Sequence, residues 1–171
     1  MGGLFGVVSK EDCIAEVFYG TDYHSHLGTK RGGMAVWNGS QFVRTIHSIE
    51  SDYFRSKFEA DLPKFTGHQG IGVISDTDAQ PLIIGSHLGT FGVVTVGKIN
   101  NLEELGKQAY GKRLHFTEMN GGEMHPTELV AMLICEGENF VDGIRKVQDT
   151  VQGSCSLLLL TENGIYAARD R

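Results

Sequence analysis

Basic charge, cysteine and long apolar runs are all scarce in this sequence, and each shortage excludes a class of function. Lys and Arg number 15 against 21 Asp and Glu, a formal net charge of −6, and no basic run exceeds two residues. A nucleic-acid-binding surface normally carries a basic stripe, so no nucleic-acid partner is expected. No apolar stretch approaches the roughly 20 residues that span a bilayer. The opening Met1-Gly2-Gly3-Leu4 has none of the character of a secretory signal, and Ser9 lies too far along for a myristoylation signal. The expectation is a cytoplasmic protein without a membrane partner. The three cysteines, Cys13, Cys135 and Cys155, are odd in number, far apart and unaccompanied by CxxC or Cys/His clusters. Neither a disulfide framework nor a zinc site is indicated, and no cofactor is expected. Only three prolines occur, unlike a disordered Pro/Gly chain, whereas 23 of the 171 residues are glycine, well above the usual ~7%. Set among Val, Ile, Leu and Phe, those glycines suggest strands with tight turns and close backbone approaches. The length suits one domain, able to bury roughly 68–70% of its unfolded surface.

Along the chain, apolar runs predict strands at Leu4–Ser9, Met34–Trp37, Gln41–Ile46, Gly70–Ile74, Thr90–Val96, Ser154–Thr161 and Ile165–Arg169. Asn38-Gly39 and Asn163-Gly164 predict hairpins whose central residues need positive φ. Helices are predicted over Glu11–Tyr23 with Ser9 as a cap, over Ser51–Leu62 ending before Pro63, over Asn101–Tyr110, after Pro126 in a first turn, and over Phe140–Val151. Helices alternating irregularly with hairpins predict antiparallel sheets covered by helix layers, an α+β architecture. The chain runs out in Ala167-Ala168-Arg169-Asp170-Arg171 without a cap, which predicts the front piece of a longer polypeptide.

Six segments, in order, resemble those of class II glutamine amidotransferase domains. They are Met1-Gly2-Gly3-Leu4-Phe5-Gly6, Gly28 through Gly33-Met34-Ala35-Val36, and Gly67-His68-Gln69-Gly70-Ile71 with Ala79-Gln80-Pro81-Leu82. Then follow Thr95-Val96-Gly97-Lys98-Ile99-Asn100-Asn101-Leu102-Glu103-Glu104-Leu105, His125-Pro126-Thr127-Glu128, and Gly153-Ser154-Cys155-Ser156-Leu157-Leu158 leading to Ala168-Arg169-Asp170. Any one echo is weak, but six in order span residues 1–171. The resemblance, strongest to the front domain of the phosphoribosyltransferase-linked members that open purine synthesis, implies a four-layer αββα sandwich of the N-terminal-nucleophile type. It also implies a downstream phosphoribosyltransferase domain, with a homo-oligomer left open.

The catalytic residues of that family do not carry over. The attacking cysteine, which uses its own α-amino group as base, falls at Gly2. The arginine that clamps the substrate carboxylate falls at Gly70. The oxyanion asparagine falls at Val96, beside a retained Gly97, and the aspartate for the substrate amino group falls at Pro126. The family's Arg-Gly-Gln matches Leu27-Gly28-Thr29 without gaps or Arg31-Gly32 with one. Losing a covalent nucleophile costs about 10⁶ in turnover in a protease, one oxyanion donor about 10²–10³, and a charged hydrogen bond roughly 1.5–3 kcal/mol. No intact catalytic residue is therefore expected, only a remnant pocket of Gly2, His68, Gly70, Val96, Gly97 and Pro126. His68 and His125 adjoin the emptied positions, although a core or surface histidine is the plainer reading. Cys13 could serve only if the chain were cut before it, which would remove the first strand. Asp22-x-His24-x-His26 could surround a metal, but a solvated turn at a helix end is the plainer reading, so no metal is expected. Lys30-Arg31 beside Gly32-Gly33 could form an anion nest, or a solvated turn. Leu129–Ile134 reads as a core-facing helix stripe. Three functions stay open: a non-hydrolytic structural or regulatory domain, a ligand- or partner-binding module using the vacated pocket, and an active glutaminase.

Overall fold

The computed structural model describes residues 2–170, the side chain of Asn120 apart. Strands β1 Gly3–Val8, β2 Arg31–Trp37, β3 Phe42–Ser48 and β4 Gln69–Ser75 form one antiparallel sheet in the order β1-β4-β2-β3. Strands β5 Leu82–Ser86, β6 Gly89–Ile99, β9 Gly153–Thr161 and β10 Gly164–Ala168 form a second in the order β10-β9-β6-β5. A short ribbon, β7 Met119–Asn120 with β8 Glu123–Met124, stands apart. Helices α1 Ile14–Tyr23 and α2 Phe54–Phe58 lie on the first sheet, while α3 Leu102–Gly111, α4 Pro126–Cys135 and α5 Phe140–Thr150 lie on the second.

Three apolar clusters mark the three interfaces of a four-layer sandwich. Val17, Phe18, Phe54, Phe58, Met34 and Ile74 fill the space between the first sheet and its helices. Ala35, Ile71, Val73, Val94 and Leu160 lie between the sheets. Phe91, Val93, Leu157 and Leu159 meet Leu129, Val130, Ile134, Ile144 and Val147 on the far side. Successive side chains alternate between strand faces, so Phe91 and Val93 reach the helices and Val94 reaches the other sheet. A strand buried on both faces reads as a continuous apolar run, as Leu157–Leu160 does. The expected αββα sandwich is the fold.

Local details differ from the sequence expectations. Ser9 does not cap α1; its hydroxyl accepts from Glu11 N–H at 3.1 Å, and the helix starts at Ile14 after Asp12 takes its N–H at 3.1 Å. The β2–β3 connection is a four-residue loop, since Trp37 pairs with Phe42. Only Gly39 takes positive φ there, and Asn38 Oδ1 accepts from Ser40 and Gln41 N–H at 2.9 Å. The predicted 51–62 helix shortens to α2, and a 3₁₀ segment, Glu59–Lys64, continues through Pro63. A proline removes one donor but suits such a short, tight turn. β5 and the β7–β8 ribbon were not expected; the ribbon turns on Gly121 and Gly122, both at positive φ.

Candidate functional site

The pairing register decides which residues meet at one end of the sandwich. β1 pairs with β4 so that Gly3 faces Ile74 and Val7 faces Gly70. Gly2 therefore stands beside the end of β4 and the polar segment that follows it. β6 brings Thr95, Val96 and Gly97 to the same place, paired with the start of β9. Gly2, Leu27, Ser75, Asp76, Val96 and Gly97 are among the residues lining a cavity of 410 Å³. An adjoining cavity of 340 Å³ shares Asp76, Val96 and Gly97 with it and adds Lys30, His125 and Pro126. Four expected site residues, Gly2, Val96, Gly97 and Pro126, are thus brought together.

Two are not, and they correct the sequence reading. Gly70 pairs with Val7, four residues back along β4 from the Ile74 that pairs with Gly3, roughly 13 Å at ~3.3 Å per residue. It is buried under α1, where a Cβ would come within 2.7 Å of Val17 Cγ2, so packing accounts for the missing side chain. His68 is exposed just before β4, its carbonyl accepting from Ser9 N–H at 2.7 Å. Matching on Gly67-His68 ignored the strand register; the residue that β4 delivers beside Gly2 is Ser75. His125 does belong to the site. The Asp22/His24/His26 set does not act together: Asp22 pairs with Arg55 at 2.6 Å and His24 Nδ1 lies 2.9 Å from Gly20 O. Among the described residues no cluster suits a metal ion. Gly32 and Gly33 are buried inside β2 and form no anion nest.

Gly2 has no room for a side chain. A Cβ there would overlap the carbonyl oxygen of Ile74 and stand 3.2 Å from Val96 Cγ2. Gly97 is similarly constrained: it has φ of +145°, and a Cβ would overlap the Ser154 carbonyl.

Behind the cavities lies a buried polar network centred on Asp78, which is 2% exposed. Its Oδ2 accepts the Thr127 N–H at 3.0 Å, acting as a cap supplied from outside α4, because the N-cap residue His125 offers none of its own. Its Oδ1 accepts from Thr77 Oγ1 at 2.8 Å and Gln80 Nε2 at 2.7 Å. His125 Nδ1 stands 2.9 Å from Asp78 Oδ2, off the line of a hydrogen bond. Burial works to raise the Asp78 carboxyl, but His125 and Thr127 outweigh it and hold it well below the usual carboxylate range. Gln80 Oε1 accepts Thr95 N–H at 2.7 Å, its Nε2 also reaches Thr95 O at 3.0 Å, and the Thr95 and Thr127 hydroxyls meet at 2.6 Å. Sequence reading assigned Asp76, Asp78 and Lys98 to no shared site, and it placed Lys30 only in a nest with Gly32-Gly33. The signal was present: Asp76 to Gln80 is a mostly polar stretch directly after the apolar strand that ends at Ser75.

No family model matches the chain. Its relatives nevertheless agree with one another. It is 25% identical over 182 residues to an amidophosphoribosyltransferase of Methanocaldococcus jannaschii, covering 99% of this chain and 38% of that protein. Over nearly its whole length the chain is similar to part of amidophosphoribosyltransferase. The enzyme of that name from Mycobacterium tuberculosis strain H37Rv is 28% identical over 183 residues, covering 98% of this chain and 34% of its own length. Among solved structures, glutamine phosphoribosylpyrophosphate amidotransferase from B. subtilis superposes with a TM-score of 0.85 at 22% identity, covering 99% of this chain and 37% of that one. The chain therefore spans little more than a third of the amidophosphoribosyltransferases it matches, and it shares the fold of the matching part of the B. subtilis enzyme.

Proposed function

We propose that this is a glutaminase-type domain that does not hydrolyse glutamine. It serves as the structural or regulatory front part of an amidophosphoribosyltransferase-like protein of purine nucleotide synthesis, with a phosphoribosyltransferase domain downstream. One observation carries the reading. The position matched to the family nucleophile, Gly2, has no side chain and no space for one, because the Ile74 carbonyl closes on it. Val96 in place of the oxyanion asparagine and Pro126 in place of the substrate-binding aspartate agree with it, as both line the same space. Beside Gly2 the end of β4 places Ser75, a short neutral side chain whose hydroxyl accepts from Thr77 N–H at 3.2 Å. The test is ammonia release from glutamine by the purified protein, with mass analysis after treatment with a reactive glutamine analogue. Ammonia at the rates of working amidotransferases, or a covalent adduct at the chain start, would refute the proposal and restore the active-enzyme reading.

A second reading, a small-ligand module reusing the pocket, is favoured by the cavity itself. At 340 Å³ it is within the size range of ligand sites, roughly 300–1,000 Å³, and it is lined by hydroxyls, charges and a buried histidine.

A further inference from the structure

The ionisable groups lining the 340 Å³ cavity differ in how far they are already committed. Asp78 is surrounded by Thr77, Gln80, Thr127 N–H and His125. Asp76 accepts the Thr29 and Lys30 N–H groups at 2.7 and 3.3 Å. Glu123, exposed on β8, is the remaining acid. Two cations face the same space: Lys30, just before β2, and Lys98, on β6. Both are exposed, and among the described residues neither has an ion-pair partner. His125 is only 4% exposed, yet it lines this cavity. With Nδ1 turned to Asp78, its Nε2 is the nitrogen left to meet a ligand. The acids deepest in the site are thus engaged with the protein, while the lysines and one histidine nitrogen are not.

We propose that the cavity binds a small organic anion, a carboxylate or phosphomonoester, with its charged head at Lys30 and Lys98 and an oxygen at His125 Nε2. The inference rests on the reading of the pocket as vacated by its family chemistry, and names the class of ligand that now fits it. Charge rather than shape selects the ligand, because a carboxylate or phosphate gains charge-assisted bonds from ammonium groups that a neutral amide does not.

Calorimetric titration of the intact protein with inorganic phosphate, succinate and the neutral succinamide tests this. Saturable binding of phosphate or succinate at millimolar concentration is expected, with succinamide at least about tenfold weaker, the smallest change that losing a charged hydrogen bond produces. Phosphate alone would assign the phosphomonoester, succinate alone the carboxylate. The double variant Lys30→Ala/Lys98→Ala alters exposed side chains only, and it should melt like the parent while losing about tenfold or more in affinity. Absence of saturable anion binding, equal binding of succinamide, or undiminished binding by the double variant would each overturn the proposal. An ammonia assay run in parallel keeps the two readings apart. Glutamine turnover would refute the non-hydrolytic reading, whereas loss of anion binding with no turnover would leave that reading standing.

Discussion

Restoring the nucleophile by Gly2→Cys separates a missing side chain from a missing site. If only the thiol were lacking, the variant would recover covalent chemistry. The new Cβ, however, would run into the Ile74 carbonyl oxygen and come within 3.2 Å of Val96 Cγ2. The carbonyl is backbone, held next to the Gly3–Ile74 pair of the β1–β4 ladder, so relief requires the strand to shift. Overpacking of this kind costs about 1–3 kcal/mol. Each kcal/mol moves the melting point of a domain this size by about 2–4 °C. The variant should therefore melt roughly 2–12 °C below the parent, taking both ranges together. Thermal unfolding by circular dichroism reads the first effect, and intact mass after a reactive glutamine analogue reads the second. The expected result is a lower melting point with no adduct at residue 2. An unchanged melting point together with stoichiometric labelling there would show that the space exists and defeat the steric argument.

Other consequences follow from the polar network and the buried thiols. Asp78→Ala leaves the Thr127 N–H buried without its acceptor and uncaps α4, and an unsatisfied buried group costs about 1–3 kcal/mol; a urea-unfolding loss well below ~1 kcal/mol would mean that Asp78 does not hold α4 in place. Asp78 and Asp61 both have depressed carboxyls, Asp78 through His125 and Thr127 against burial, Asp61 through Lys64, His47 and Thr45. A lowered folded pKa gives stability that is present above the unfolded value and lost on acidification, so the melting point should fall as pH drops below about 4. A melting point flat from neutrality to strong acid would contradict these shifts. Burial pushes the Cys13 and Cys155 thiols up to about 11. Iodoacetamide at mildly alkaline pH should label them slowly in the folded protein and fully after denaturation; rapid native labelling of Cys13 would contradict its burial.

The layers were legible in the sequence because their cause is local. Alternation along 91–96 and the apolar run 157–160 require strands buried on both faces, and the stripe from Leu129 to Ile134 requires a helix against them. The end of the sandwich was only half legible. Val96, Gly97 and Pro126 line one cavity, and each sits in or beside an element whose limits the pattern marks. Gly70 and His68 were misplaced because a glycine matched by motif does not reveal which way its strand faces. A shift along an antiparallel ladder moves a residue by ~3.3 Å per step, and four steps carry it out of the pocket. Asp78 escaped notice for a different reason. Its partners Thr127 and His125 are 49 and 47 positions away in the chain, and no spacing rule joins a loop carboxylate to the first turn of a distant helix.

That long-range cap bears on what the pocket can bind. A polar group already satisfied inside the protein must give up that bond to take a ligand, and an unsatisfied buried group costs about 1–3 kcal/mol. Gln80 is bonded at both ends of its amide, Thr95 and Thr127 are bonded to each other, and Asp78 has donors on both oxygens. A ligand amino group seeking Asp78 would have to displace the Thr127 N–H and uncap α4. A ligand carboxylate or phosphate at Lys30 and Lys98 displaces no intramolecular bond among the described residues. Commitment of the acids therefore leaves Lys30 and Lys98 as the cavity's open charged donors, while Asp76, Asp78 and Glu123 keep their negative charge in the same lining.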